Sequence, residues 1–204
     1  MINDLYLHSI IGNNQSAASE SWVRPEDWLT IPDFTPSEDK IYLLVKIIED
    51  TASNYLAFSC GSNFTVDWGD GSVPESFTTG VGDVIAEHQY DFASIPENTL
   101  TSSGWRQALA TVTLNGAPLS KLLCNIVHSS ILSGNAANPI LELRLNCPAL
   151  TVLNCQGQNF LMSVQVGENS VTDFSYMFSN CSGLTSIPLL DTSSGTNFSH
   201  MFSN

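Results

Sequence analysis

The chain has 204 residues with Asp+Glu 20 against Lys+Arg 6, a net charge of −14. Charged residues make up only 13% and hydrophobic ones 43%, which excludes a disordered chain and suffices for one or two packed domains. The six basic residues (Arg24, Lys40, Lys46, Arg106, Lys121, Arg144) are scattered, so no basic patch is available for phosphates, and neither nucleic acid nor an anionic membrane is an expected partner.

The N-terminus, Met1-Ile-Asn-Asp-Leu-Tyr-Leu-His8, has no basic region, long apolar core or small-residue cleavage site. Sec export is therefore not expected. Residues 1–40 read as an extended docking arm. They carry the Asn13–Ser16 turn signal, then Pro25, Pro32 and Pro36, a density that opposes helix interiors and central strands. Trp22 and Trp28 flank Arg24-Pro25. Two readings stand: the tryptophans cover the following domain, or Trp22, Arg24 and Trp28 anchor the chain on a neighbouring subunit.

Residues 41–118 read as all-β. Ile41–Val45 is apolar and β-branched, as in a buried strand. Its continuation to Ile48 includes Lys46 and is far too short to span a bilayer, so no membrane insertion is expected. Phe64, Val66 and Trp68 alternate with Thr65 and Asp67, and Gly69-Asp70-Gly71-Ser72 follows as a tight turn. Ala110, Val112 and Leu114 alternate with threonines before Asn115-Gly116.

Residues 119–204 repeat internally. Thr172-Asp-Phe-Ser-Tyr-Met-Phe-Ser-Asn180 returns as Thr196-Asn-Phe-Ser-His-Met-Phe-Ser-Asn204, identical at seven of nine positions. Asn146-Cys-Pro-Ala-Leu-Thr151 returns as Asn180-Cys-Ser-Gly-Leu-Thr185. One such repeat cannot bury its own apolar face, so coils are expected to stack, with Phe178, Phe202, Cys147 and Cys181 at ladder positions. Ending at Asn204 in mid-motif, the chain is expected to be part of a longer polypeptide.

Little in the sequence points to catalysis. The cysteines (Cys60, Cys124, Cys147, Cys155, Cys181) include no CxxC pair and read as small buried apolar residues. The histidines (His8, His88, His128, His200) lack metal-ligand spacing. Asp67 and Asp70 are candidates for a calcium site, but their spacing is not that of an EF-hand, and the preferred reading has Asp70 bonding its own turn. No cofactor and no enzymatic activity are expected.

Phe64-Thr-Val-Asp-Trp-Gly-Asp-Gly-Ser72, with His88-Gln-Tyr90 and Ala110–Leu114 after it, resembles the PKD-type immunoglobulin-like sandwich. That resemblance implies a β-sandwich over 41–118 and places His88 near the Trp68 turn. Asp91–Gln107 departs from the pattern, which usually has a short turn there. Met177-Phe-Ser-Asn-Cys-Ser-Gly-Leu-Thr-Ser-Ile187 resembles BspA-type leucine-rich repeats. Joined to Trp22-Val-Arg-Pro-Glu-Asp-Trp-Leu29, the combination looks like phage virion proteins, tail-fibre components among them. It implies a virion location, partners among other virion proteins and a host-surface glycan or protein, and a homo-oligomer, a trimer by analogy with fibres. A head decoration protein and a bacterial surface adhesin are the alternatives.

Overall fold

The computed structural model describes residues 22–35, 38–50, 53–80, 82–131 and 138–203. Residues 1–21 of the expected arm, His8 and the Asn13–Ser16 turn among them, lie outside this set, as do Pro36 and Asn204. The described chain is mainly β, as expected, and forms two open sheets.

Eleven strands are formed: β1 (Lys40–Ile47), β2 (Tyr55–Cys60), β3 (Phe64–Asp67), β4 (Glu75–Phe77), β5 (Val84–Gln89), β6 (Arg106–Leu114), β7 (Lys121–Leu123), β8 (Ile140–Asn146), β9 (Val152–Asn154), β10 (Ser163–Val166) and β11 (Ser186–Leu190). The larger sheet runs β11-β10-β8-β1-β6-β3-β4, the smaller β5-β2-β7-β9.

β1 is apolar over Ile41–Val45 because both of its faces are covered there, whereas Lys40 and Lys46 are only half-buried. Ile41, Leu43, Val45 and Ile47 point into the main core, with Phe58, Phe64, Trp68 and Tyr90. Tyr42 and Leu44 point to the outer face, where Trp28, Ile31 and Leu141 cover them. Its neighbours β6 and β8 both run antiparallel to it.

Neither sheet breaks near residue 118. β8 pairs with β1, and β7 with β2, so strands from 119–203 extend both sheets laid down by the earlier residues. Pairing changes character there: β8, β10 and β11 are mutually parallel, and so are β7 and β9. One continuous core runs from Ile41 to Met201. Asn138 fastens the junction. Its Oδ1 accepts from Ala57 N–H at 2.6 Å, its Nδ2 donates to the Cys124 and Ile126 carbonyls, and its own N–H donates to Gln158 Oε1 at 3.1 Å.

The hexapeptides starting at Asn146 and Asn180 make the same local turn. In each, the Leu N–H returns to the Cys carbonyl (Leu150 to Cys147, Leu184 to Cys181). In each, the threonine hydroxyl donates across to the preceding coil, Thr151 to Ser120 O and Thr185 to Met162 O. The first turn delivers β9 to the smaller sheet and the second delivers β11 to the larger, so one sequence motif serves both corners.

Asp91–Gln107 carries two single-turn 3-10 segments, Phe92–Ser94 and Glu97–Thr99. Arg106 pins them. Its Nη1 donates to the Phe92 and Ile95 carbonyls at 2.8 and 2.7 Å, and its guanidinium lies over the Phe92 ring.

Gly69 is required twice over. Its φ is +74°, a region costly for any residue with a Cβ, and an added Cβ would sit 2.5 Å from the Leu109 carbonyl oxygen on β6. Gly69→Ala is therefore expected to lower unfolding free energy by about 2 kcal/mol or more, read by urea denaturation, whereas Gly71→Ala, with open space around it, carries only the positive-φ penalty of about 1 kcal/mol.

Candidate functional site

Three places hold the residues that the sequence singles out. The first is the outer face of the larger sheet, where Trp22, Arg24 and Trp28 lie. Trp28 is 6% exposed, with its ring tilted against Trp22 and edge-on to Trp105 at centroid distances of 6.1 and 6.3 Å. The Arg24 guanidinium lies over Trp28 and donates to the Trp28 and Leu29 carbonyls. Its Nε also reaches Glu142 Oε2 at 2.7 Å, while Arg144 Nε holds the other oxygen at 2.8 Å. Glu142 is buried, its side chain 3% exposed. The three residues thus contact this chain's own sheet, and two arginines clamp one buried carboxylate between arm and body.

The pairing of Arg24 with Glu142, 118 positions apart, has no signal in local spacing. Gln107 is equally hidden from sequence. Almost fully buried, it donates from Nε2 to Asp27 O and Thr99 O and accepts from Leu29 N–H at 2.9 Å.

The second place is the turn after β3. Asp67 Oδ1 accepts from Gly69 N–H at 3.0 Å and Asp70 Oδ1 from Ser72 N–H at 2.9 Å. The remaining Asp70 oxygen lies 2.7 Å from His88 Nε2. His88 stacks on Trp68 at 4.6 Å and meets Tyr90 edge-on, and the Tyr90 hydroxyl donates to Trp68 O. His88 thus lies beside the Trp68 turn, where the resemblance puts it. The Asp70 carboxylate is engaged by its turn and by His88. Among the described residues, no three metal-ligating side chains gather in one place. Burial would raise the Asp70 carboxyl, but hydrogen bonds from Ser72 and His88 bring it below its ordinary value.

The third place is the stack of repeats. Phe174 lies over Phe198, Tyr176 over His200 and Phe178 over Phe202, at 5.2, 5.0 and 5.7 Å with interplanar angles of 13° to 14°. The backbone follows: Phe174, Tyr176, Phe178 and Asn180 donate to the carbonyls of Asn197, Ser199, Met201 and Ser203. The coil before is bonded likewise, Cys155 to Met177 and Gly157 to Ser179. Tyr176 and His200 share a left-handed backbone (both φ 56°), which non-glycine residues rarely adopt. Phe178 is 1% exposed and Phe202 53%, because Phe202 lies on the last described coil.

All five cysteines are free and buried. The Cys181 thiol donates to Cys155 O, and the neighbouring Cys124 thiol, together with burial, pushes the Cys155 thiol up. The cysteine ladder therefore runs Cys124–Cys155–Cys181. Cys147 sits apart, its thiol on Lys40 O at 3.8 Å. Its likeness to Cys181 is that of the shared corner turn, not of stacking. Burial pushes the Cys147 and Cys181 thiols up to about 12 and about 11, so neither is a thiolate at neutral pH.

No protein-family model, curated protein or solved structure matches this chain. Among the described residues, no helix is long and apolar enough to cross a membrane.

Two outcomes follow from this geometry. Arg24→Ala removes one of the two cations on Glu142 and frees the Leu29 carbonyl. It is expected to lower stability by about 1–3 kcal/mol and to open residues 22–33 to limited proteolysis ahead of the sheets. Asp70, with its carboxyl depressed in the fold, contributes stability that is fully present above the unfolded value of 3.8 and is lost as pH falls through the lower folded value. Asp70→Asn is expected to flatten that acid decline, measured as melting temperature against pH.

Proposed function

We propose that this is a non-enzymatic structural protein of a phage particle, of tail-fibre or adhesin type. In this reading the N-terminal residues dock on other virion proteins. The two-sheet body, read as PKD-like, is a stiff spacer. The stacked repeats, read as a BspA-type solenoid, present a surface to a host glycan or protein.

The stack of coils carries the reading. Its outside is nearly uncharged: Thr172, Asn180, Thr185, Thr196, Asn197 and Ser199 are all exposed, with Tyr176, Leu189 and Phe198 among them. Its inside is filled by Phe174, Met177, Phe178 and Met201. Such a surface has no strong electrostatic preference and fits many weak contacts gathered by copy number. Repeated Asx turns hold it rigid, with Asp173 accepting from Ser175 N–H, Asp191 from Ser193 and Asn197 from Ser199. Rigidity lowers the ordering cost of binding. The continuous sheets also fit a spacer role, since β8 and β7 pair directly with β1 and β2 of the body.

The test is made on particles of the phage that encodes the chain. Antibodies to residues 1–40 should label the fibre base, and antibodies to 172–204 the distal end. Excess recombinant chain should slow adsorption to host cells. Label spread over the head would favour a decoration protein. Label on uninfected bacteria would favour a cell-surface adhesin. Either result, or the absence of competition, would overturn the tail-fibre reading.

A further inference from the structure

We propose that the outer face of the larger sheet carries a saccharide site, built around Lys46 and the rings of Trp105 and Phe160, that takes a pyranose bearing a carboxylate. This goes beyond the preceding reading, which puts display on the stacked repeats, and rests on it only for the source of the ligand.

Arg24 and Arg144 pair with Glu142, Lys40 with Glu38, Arg106 with Glu97 and Lys121 with Asp83. Lys46 alone of the six has no carboxylate partner among the described residues, in a chain whose net charge is −14. Its ammonium instead lies over two rings, 5.8 Å from the Trp105 centroid and 5.6 Å from that of Phe160. Aromatic faces orient a cation without neutralising it. The charge stays available to an anion.

The space in front of Lys46 has the shape and lining of a ligand site. A cleft of about 480 Å³ opens there, within the range of about 300–1,000 Å³ for ligand sites. Beside Lys46 of β1 and Leu141 of β8, its walls come from Asp27 and Trp28 of the arm, Ser103 and Trp105 before β6, and Asn159 and Phe160 between β9 and β10. Phe160 is 46% exposed, which leaves part of its ring open to a ligand. Asn159 and Ser103 are exposed on the rim, able to exchange hydrogen bonds with sugar hydroxyls. Apolar ring faces beside short polar side chains match the two surfaces of a pyranose, its C–H face and its hydroxyl edge.

The cleft is also preorganised. Asp27 Oδ2 accepts from both the N–H and the hydroxyl of Ser102 at 2.8 Å, leaving Oδ1 for a hydroxyl. Buried Gln107 holds the Asp27 carbonyl at 2.8 Å, and Trp28 braces Trp105 edge-on. The wall of the cleft is thus set before a ligand arrives. The Asp27 carboxylate also disfavours an anion placed on its side, which directs the sugar's carboxylate toward Lys46.

The experiment titrates the full chain with N-acetylneuraminic acid and a glucuronate-containing disaccharide, and with galactose and maltose as neutral probes. Tryptophan fluorescence and saturation-transfer NMR are read together. One acidic probe at least is expected to bind, more weakly as salt rises. Lys46→Met, which keeps the apolar stem, should weaken that binding about tenfold, with unchanged melting temperature. Phe160→Ala should abolish it. Neutral sugars binding as well as acidic ones, an unaffected Lys46→Met variant, or no binding by either acidic probe would each overturn the proposal. The display reading fails separately: particles carrying Lys46→Met that adsorb normally sink only the cleft, whereas wild-type chain that never competes for host cells sinks the display role and leaves sugar binding to stand alone.

Discussion

The fold depends on one strand, β1, being covered on both faces over Ile41–Val45. β1 has the main core against one face, the arm against the other, and β6 and β8 along its edges. A stretch with two buried faces must be apolar, as Ile41–Val45 is, and its outer face needs a lid, because a bare Tyr42–Leu44 strip would be an adhesive patch. Trp28 and Ile31 supply that lid, and the Arg24–Glu142–Arg144 cluster latches it. Removing water from a carboxylate is unfavourable unless its lone pairs are bonded, and two guanidinium groups meet that demand.

β1 also explains how two kinds of pairing coexist. Its antiparallel contact with β8 turns the sheet over to a parallel stack, in which each later coil adds one strand to a growing edge. An isolated coil would expose half of its apolar residues. Placed on β8 and β7, the first coil inherits a finished surface, and the core continues without a gap into Phe174, Phe178 and Met201. The hydrophobic effect scales with apolar area removed from water, so this continuity is stabilising at every junction between coils.

Much of this was legible in the chain. Period-two alternation marked β3 and β6, and a continuous apolar run marked β1 as buried. The recurrence of Phe178 as Phe202 foretold their stacking. What escaped was whatever depends on distant partners. Asn138 is one polar residue in an unremarkable stretch, and only the folded chain shows it making four hydrogen bonds to three distant segments. The cysteines were misleading for a related reason. Matching hexapeptides put Cys147 and Cys181 in one class, yet their likeness is local, a turn that suits either corner, while stacking follows position around the coil and joins Cys181 to Cys155. The arm's two readings could not be separated by sequence because both need exposed-looking tryptophans; the location of Glu142 beneath Arg24 has no counterpart in spacing.

If β1 is the shared template, the segments before and after residue 118 unfold together. Native-state hydrogen exchange on the Leu43→Ala variant tests this most directly. Truncating a fully buried leucine removes about 2–5 kcal/mol, and the account predicts that amides of β6, β8 and β10 all speed up by one common factor. Faster exchange confined to β6, with β8 and β10 as protected as before, would show the repeats standing on their own and would contradict it.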